Sequence, residues 1–399
     1  MPTEGVHSPP PAGADIQIRV TPRRALRIAL LAPPWIPVPP PGYGGIEAVV
    51  ALLCEGLVRR GHDVTLFAAP GSRSRATVCE VLPAAHPDEI GLALYEADHV
   101  ARAFEMIEQA GPGRTGFDVI HDHSGFVALA MAGRIQVPMV HTLHGPFDAS
   151  TTDFYAQHAD KAHFVAISQA QKATAPAALA VNEVIHNPID AAGWPYEPHK
   201  EDYLLWVGRM HETKGPHLAI AAAKRAGVPL VLAGPIQPGQ EEYFQTKVAP
   251  QVDGIGIGYV GEVGGSAKAD LIARSRALLM PIQWNEPFGM VMAEALACGT
   301  PVIAFPAGAA GEIVRDGITG YLVADEEEMA AAIGRLGALD PAQCRADVIA
   351  RFDVDRIAAA YEGVYRTAQA CAARVVASAS ARSVRLPALP VRAGIAGAG

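Results

Sequence analysis

The sequence predicts two doubly wound α/β domains in tandem, and three observations lead there. From Leu26 onward, short apolar runs alternate with stretches of helical periodicity. A stretch bearing Pro, Gly and Trp between Asp190 and Asp202 interrupts that alternation, after which it begins again. The chain has 399 residues, 50% of them apolar, which is enough for two buried cores of ordinary size plus tails.

In the first half, RIALLA (27–32) is a buried-strand run, and IEAVVALLCEGLVRRG (46–61) carries apolar residues at helical spacing and ends on Gly61. DVTLFAA (63–69), FDVIHDH (117–123), VPMVHTLH (137–144), HFVAIS (163–168) and NEVIHN (182–187) follow as strands, with helical segments between most of them. The second half repeats the pattern. YLLWVGR (203–209) precedes a helix from about Pro216 to Ala226, and VPLVLAG (228–234), IGYVG (257–261), RALLMPI (276–282), TPVIAF (300–305) and GYLV (320–323) complete the series. Strand and helix alternating in this way imply parallel βαβ units. Rossmann-like domains are expected over 25–190 and 200–355, facing each other across a deep cleft lined by the C-terminal edges of their strands. A helix over about 356–375 is expected to cross back onto the first domain. Residues 1–24 and 378–399 lack an apolar core segment and are expected to be disordered.

Bulk charge excludes some partners. A formal net charge of −9 argues against a nucleic-acid footprint and against strong attraction to an anionic membrane. No signal peptide or transmembrane span is expected, because the most apolar stretch, Leu218 to Ile236, is broken by Lys224 and Arg225. Arg59, Arg60, Arg73 and Arg75 read as ordinary solvated charges, so membrane association is not supported. The five cysteines are odd in number and widely spaced and form no C-x-x-C, which fits a reduced, cytoplasmic chain.

The most informative stretch is NEPFGMVMAEALACG (285–299). Pro287 suits a first helical turn and Gly299 a helix stop. Phe288, Val291, Met292, Ala295 and Leu296 mark one apolar face. Eight residues at ~1.5 Å rise set Glu286 and Glu294 roughly 12 Å apart along such a helix. That span suits a folded nucleotide-sugar, with the hexose near Glu286 and the ribose near Glu294. The free first-turn amides, about Phe288 to Met290, favour a diphosphate between them. The alternative is a capping Glu286 and a solvent-facing Glu294.

WVGRMHETKG (206–215) leaves a strand and enters a helix, so Arg209 and Lys214 project from the strand's C-terminal edge. Two cations there can neutralise a diphosphate leaving group; the alternative is two solvated loop cations. In PGYGGIE (41–47), Gly44 and Gly45 stand before a helix, where backbone can approach a phosphate closely. This loop has neither the dinucleotide pattern G-x-G-x-x-G nor a Walker A sequence, which argues against a nicotinamide oxidoreductase. His121, His123, His141 and His144 gather at two strand ends without a recognisable metal-ligand spacing, so no metal is expected. His144, before Gly145 and Pro146, is the one expected to enter the cleft.

Together these residues resemble the retaining family 4 glycosyltransferases, which have the GT-B fold. The resemblance runs from RIALLAPP and GYGGIE through HTLHGPF, AISQ, HNPID and VGRMHETKG to LAGP, YVGEV, EPFGMVMAEALACGTPVIA and DGITGYLV. It implies that Arg209 and Lys214 hold the donor diphosphate and that Glu294 binds the ribose. Glu286 would hold the transferred hexose, helped by the amides of Phe288, Gly289 and Met290. Gly44 and Gly45 would close over the phosphates, His144 would sit beside the sugar, and Glu212 would support the cations. The nucleobase would lie near Tyr259–Glu262, against Gly261 and Glu262. The expected donor is a UDP-sugar before a GDP-sugar, the acceptor an unspecified hydroxyl, and no cofactor or metal is needed. A catalytically silent nucleotide-sugar binder on the same fold is the alternative; it would be expected to lose some of the four charged residues.

Overall fold

The computed structural model describes residues 24–42, 44–111 and 116–383, with side chains to Arg374. The termini expected to be disordered lie outside these residues up to 23 and from 384. The first half contains β1 (Arg27–Leu31), α1 (Gly45–Arg59), β2 (Asp63–Ala68), β3 (Thr77–Glu80), α2 (Ala93–Ala110), β4 (Val119–Asp122), α3 (Phe126–Met131), β5 (Met139–Leu143), α4 (Ala149–Gln157), β6 (His163–Ala166), α5 (Gln169–Ala173) and β7 (Val181–Val184). The second contains β8 (Leu204–Val207), α6 (Pro216–Ala226), β9 (Leu230–Ala233), α7 (Glu241–Tyr243), β10 (Ile257–Tyr259), α8 (Gly265–Arg274), β11 (Ala277–Met280), α9 (Met290–Ala297), β12 (Val302–Ala304), α10 (Ala310–Ile313), β13 (Gly320–Leu322), α11 (Glu326–Ile333), α12 (Pro341–Phe352) and α13 (Val354–Ser383).

The strands form two parallel sheets, ordered β3-β2-β1-β4-β5-β6-β7 and β10-β9-β8-β11-β12-β13. Register places Ile28 opposite Val64 on one side and Val119 on the other, so β1 is central and buried on both faces. The edge strand β3 is absent from the sequence expectation because it is short, half-exposed and carries no continuous apolar run. In each sheet the strand order reverses once, between β1 and β4 and between β8 and β11, which makes these two doubly wound, Rossmann-like domains.

α13 leaves the second domain and packs on α1, where Ile357, Ala358, Tyr361 and Tyr365 join Leu53 and Leu57 in one core. Gly56 makes that approach possible: a Cβ there would stand 2.9 Å from the Ala358 Cβ. The helix runs on to Ser383, beyond the expected tail boundary at 378. Two of the arginines read as solvated are also corrected here. Arg59 pairs with Asp355 at 2.7 Å and Arg60 with Glu362 at 2.7 Å, so both clip α13 to α1. Arg75 pairs with Glu55. Asp355 and Glu362 lie far along the chain and Glu55 lies on α1, and local periodicity carries no trace of these pairings.

Glu362 is buried and accepts from Arg60 and Arg366. Burial alone would raise its pKa, but the two guanidinium groups overcome that and hold it at about 2, against an ordinary 4.5. A carboxyl depressed by folding stabilises the native state above its unfolded pKa and loses that contribution as the pH falls through its folded one. Glu362→Gln is therefore expected to cost about 1–3 kcal/mol at pH 7 and to flatten the loss of stability between about pH 4.5 and 2. Denaturant melts of both proteins at pH 7 and pH 3 check this.

Candidate active site

The loops that follow the strands flanking each reversal meet in the cleft. In the second domain, the loop after β8 holds its backbone by bonds from the Gly208 amide to the Ala233 carbonyl (3.0 Å) and from the Met210 amide to the Pro235 carbonyl (2.8 Å). Arg209 sits half-buried between those anchors. Glu212–Lys214 form one 3₁₀ turn, capped by the His211 ring accepting from the Thr213 amide at 3.1 Å. Gly215 ends the turn with φ +71, and a Cβ there would lie 2.2 Å from the Pro281 carbonyl oxygen. Only glycine lets this loop lie flat against the one after β11.

The β11 loop returns the contact. The Gln283 amide donates to the Thr213 carbonyl at 2.8 Å. The Lys214 ammonium ion-pairs with the Glu286 carboxylate and lies 4.9 Å from the Trp284 ring centroid. Both partners are largely buried, so each charge offsets the desolvation of the other. The Glu286 carbonyl accepts from the Ala309 amide at 2.9 Å. Phe288 anchors the loop by packing edge-on against Phe352, with ring centroids 5.6 Å apart.

One expectation is corrected here. The helix after Glu286 begins at Met290, not at Pro287, and its N-cap is Gly289 in the left-handed region with φ +86. The unused first-turn amides therefore belong to Met290 and Val291, while those of Phe288 and Gly289 are loop amides. A chain turn that requires positive φ at Gly289 cannot also continue the helix back to Pro287. Glu286 consequently sits on a loop rather than one helix with Glu294.

Glu294 lies on α9 and is 7% exposed. Lys268 of α8 satisfies it with an ion pair of 2.6 Å and lies 5.7 Å from the Trp194 ring centroid. The sequence reading omits Lys268, because nothing in the periodicity of α8 distinguishes it from a solvated helix lysine. Glu212 shares the 3₁₀ turn with Lys214. Its side chain is exposed, and its charge acts on His217 and Tyr243.

The first domain lines the opposite wall. Gly44 caps α1; a Cβ there would meet Pro40 Cβ at 2.7 Å and the Glu47 carboxylate at 3.1 Å, whereas one on Gly45 would meet nothing within 4 Å. Glu47, also missed, is buried behind this loop, and burial pushes its carboxyl up to about 7. Pro41 and Gly42 reach across to the Gly261–Gly264 segment: a Cβ on Gly264 would lie 3.2 Å from the Gly42 Cα, and one on Gly42 3.3 Å from Glu262 Oε1. The Gly261 carbonyl accepts from the Gly234 amide at 2.7 Å, which ties that segment to the loop after β9.

His144 stands at the end of β5, with its Nε2 at 2.8 Å from His123 Nδ1. His121 and His141 are buried and hydrogen-bonded, His121 to Tyr365 and Thr142 and His141 to Asp122 and Tyr155. After His144, Pro146 and Phe147 face Asn285, Glu286 and Gly308 across an interdomain cavity of about 50 Å³. The domains are joined beside it by Glu312 of α10, whose carboxylate accepts from the Gln169 and Ala170 amides (2.9 and 2.7 Å) and from His186 (3.0 Å). The structure thus brings Lys214 to Glu286 and sets Glu286 across the cavity from Pro146 and Phe147, just after His144, while Glu294 lies on α9. Among the described residues, no helix is long and apolar enough to cross a membrane.

Comparison with known proteins agrees with this architecture. The family described as "Glycosyltransferase Family 4" matches residues 43–192, and "Glycosyl transferases group 1" matches 195–347. The D-inositol 3-phosphate glycosyltransferase of Mycobacterium tuberculosis is 29% identical over 374 residues, covering 79% of this chain and 75% of the relative. Among solved structures, AviGT4, a glycosyltransferase involved in avilamycin A biosynthesis, superposes with a TM-score of 0.65 at 29% identity, covering 86% of this chain and 98% of that one. Anabaena HepE, solved in complex with UDP and glucose, has a TM-score of 0.65 at 22% identity, covering 86% and 100%.

Gly308 carries the test of how Glu286 is held. It has φ +57, and a Cβ there would stand 2.3 Å from the Glu286 carbonyl oxygen and 2.4 Å from its nitrogen. Gly308→Ala is expected to leave both sheets folded, lower stability by about 1–3 kcal/mol, and displace Glu286 from Lys214. Thermal denaturation and a crystal structure of the variant read the two effects.

Proposed function

The chain belongs to the GT-B, family 4-like glycosyltransferases, and we propose that its cleft transfers a hexosyl group from a nucleotide-sugar to an acceptor hydroxyl with retention of anomeric configuration. UDP-linked donors are preferred over GDP-linked ones in this proposal. The observation that carries it is the ion pair of Lys214 with Glu286, which joins the two loops at the β8/β11 reversal.

The chemistry follows from charge. As the bond between the anomeric carbon and the diphosphate oxygen breaks, negative charge grows on the leaving group and positive charge on the sugar. Arg209, Lys214 and the amides of Met290 and Val291 would stabilise the first of these. No metal ion is needed for that stabilisation. Glu286 ion-pairs with Lys214. A bound diphosphate would take over the ammonium and release the Glu286 carboxylate to accept hydroxyls of the hexose. Glu294, paired with Lys268, would accept both ribose hydroxyls.

His144 lies on the sugar side of the cleft in this proposal. Front-face attack closes the step: the acceptor oxygen bonds to the anomeric carbon on the face the diphosphate leaves, and the departing phosphate oxygen takes the acceptor's proton. Glu47 supports donor binding differently. A carboxyl that is half-neutral near pH 7 adds little repulsion to an anion held over Gly44 and Gly45.

Arg209→Ala and Lys214→Ala are each expected to lower kcat about a hundredfold or more while the protein stays folded. Near-wild-type turnover in either variant would sink the assignment. Donor hydrolysis across a panel of UDP- and GDP-sugars tests the donor without an acceptor, and tight binding with no turnover of any donor would point to the silent binder instead. An inverted product by NMR would refute retention.

A further inference from the structure

The mechanism uses His144 and leaves unexplained why two more imidazoles stand behind it in the core. His123 is 3% exposed and touches His144 Nε2 through its own Nδ1 at 2.8 Å. Its Nε2 lies 3.4 Å from His121 Nδ1, which meets the Tyr365 hydroxyl at 2.7 Å. His121 Nε2 meets Thr142 Oγ1 at 2.8 Å, and that oxygen meets the Tyr361 hydroxyl at 3.0 Å. A polar chain therefore runs from His144 across the sheet to α13, beside the separate Asp122–His141–Tyr155 group. Apolar side chains would fill this volume without the desolvation cost, so the polar chain calls for a reason beyond packing.

Burial, reinforced by the neighbouring imidazoles, pushes the pKa of His121 and His123 well below the ordinary range and that of His144 to about 3. All three rings are therefore neutral at neutral pH, and a neutral imidazole has one N–H and one bare nitrogen. One proton lies between His123 Nδ1 and His144 Nε2. If His144 holds it, His144 Nδ1 is a bare acceptor; if His123 holds it, His144 Nδ1 carries an N–H and donates. The partner thus decides which group His144 offers the cleft. The backbone is held independently. Gln171 Nε2 donates to the carbonyls on either side of His144, Leu143 at 3.1 Å and Gly145 at 2.9 Å.

We propose that His123 is a positioning residue for the transfer reaction, setting the ring plane and tautomer of His144 and hence the single nitrogen available to the transferred sugar. This rests on the placement of His144 beside that sugar in the proposed function.

The test uses the full chain labelled with ¹⁵N-histidine. In the wild type, the side-chain nitrogens of His144 are expected to report one neutral tautomer; a mixture would overturn the proposal without any variant. His123→Phe keeps the ring volume and removes the partner nitrogen. It is expected to mix the His144 tautomers and lower kcat about tenfold or more with little change in donor KM. His123→Asn places an amide near the position of Nδ1 and is expected to recover much of that loss. Unchanged His144 signals and kcat in His123→Phe would overturn the proposal, and so would a loss of melting temperature and rate that Asn does not repair. The double variant His123→Phe/His144→Ala should be no slower than His144→Ala alone, and additive losses would count against it. Should His144→Ala itself turn over at the wild-type rate, the placement of His144 falls and takes this proposal with it. A slow His144→Ala beside a fast His123→Phe removes only the role of His123.

Discussion

Parallel sheets can be joined only by crossovers, and an open parallel sheet that grows in both directions from its first strand must reverse its order somewhere. In this chain the reversals fall between β1 and β4 and between β8 and β11. At a reversal the loops on either side turn away from one another, so a crevice opens at the C-terminal edges of the strands. The Gly44–Gly45 turn follows β1, and His123 follows β4. Arg209 and Lys214 follow β8, and Glu286 follows β11. The site is the place where two such crevices face each other, and its position follows from connectivity before any side chain is considered.

Within that crevice, buried charge is managed in pairs. Lys214 with Glu286 and Lys268 with Glu294 place two carboxylates at low exposure, each matched by an ammonium. A buried carboxylate with an ammonium beside it has the cost of its desolvation offset by that charge. Each pair also restrains a flexible lysine side chain in one place. Glycines 215, 289 and 308 serve the same end from the backbone. At each, positive φ or a carbonyl within 3 Å of the missing Cβ lets one loop lie against another.

The two domains are tied at points that flank the cleft. On one side Glu312 binds the free amides at the start of α5, a carboxylate at a helix N-terminus. The same helix supplies Gln171, which brackets the His144 backbone. On the other side α13 crosses to the first domain, held by Arg59–Asp355 and Arg60–Glu362 and by apolar packing against α1. Its Tyr361 and Tyr365 end the polar chain that begins at His144.

Most of the architecture was legible from local pattern. Buried parallel strands write themselves as short apolar runs, helices as a period near 3.6, and breaks as Gly and Pro, so the two domains and nearly every strand followed from the sequence alone. The candidate cations and glutamates were legible too, because Arg209, Lys214, Glu286 and Glu294 each stand just past or within an element whose direction local pattern sets. The start of α9 was not, since it depends on Gly289 turning left-handed against Met292, which composition does not reveal. Pairing lay further out of reach. Lys214 finds Glu286 across 72 residues, and Arg60 finds Glu362 across 302. Which lysine answers Glu294 and which histidine stands behind His144 depend on the neighbours that sheet order creates. The sequence by itself determined the elements, the cleft and the chemistry offered to it; the tertiary structure alone decided the partners, because a charge or ring nitrogen is answered by whatever lies within about 3 Å, and chain distance does not predict that.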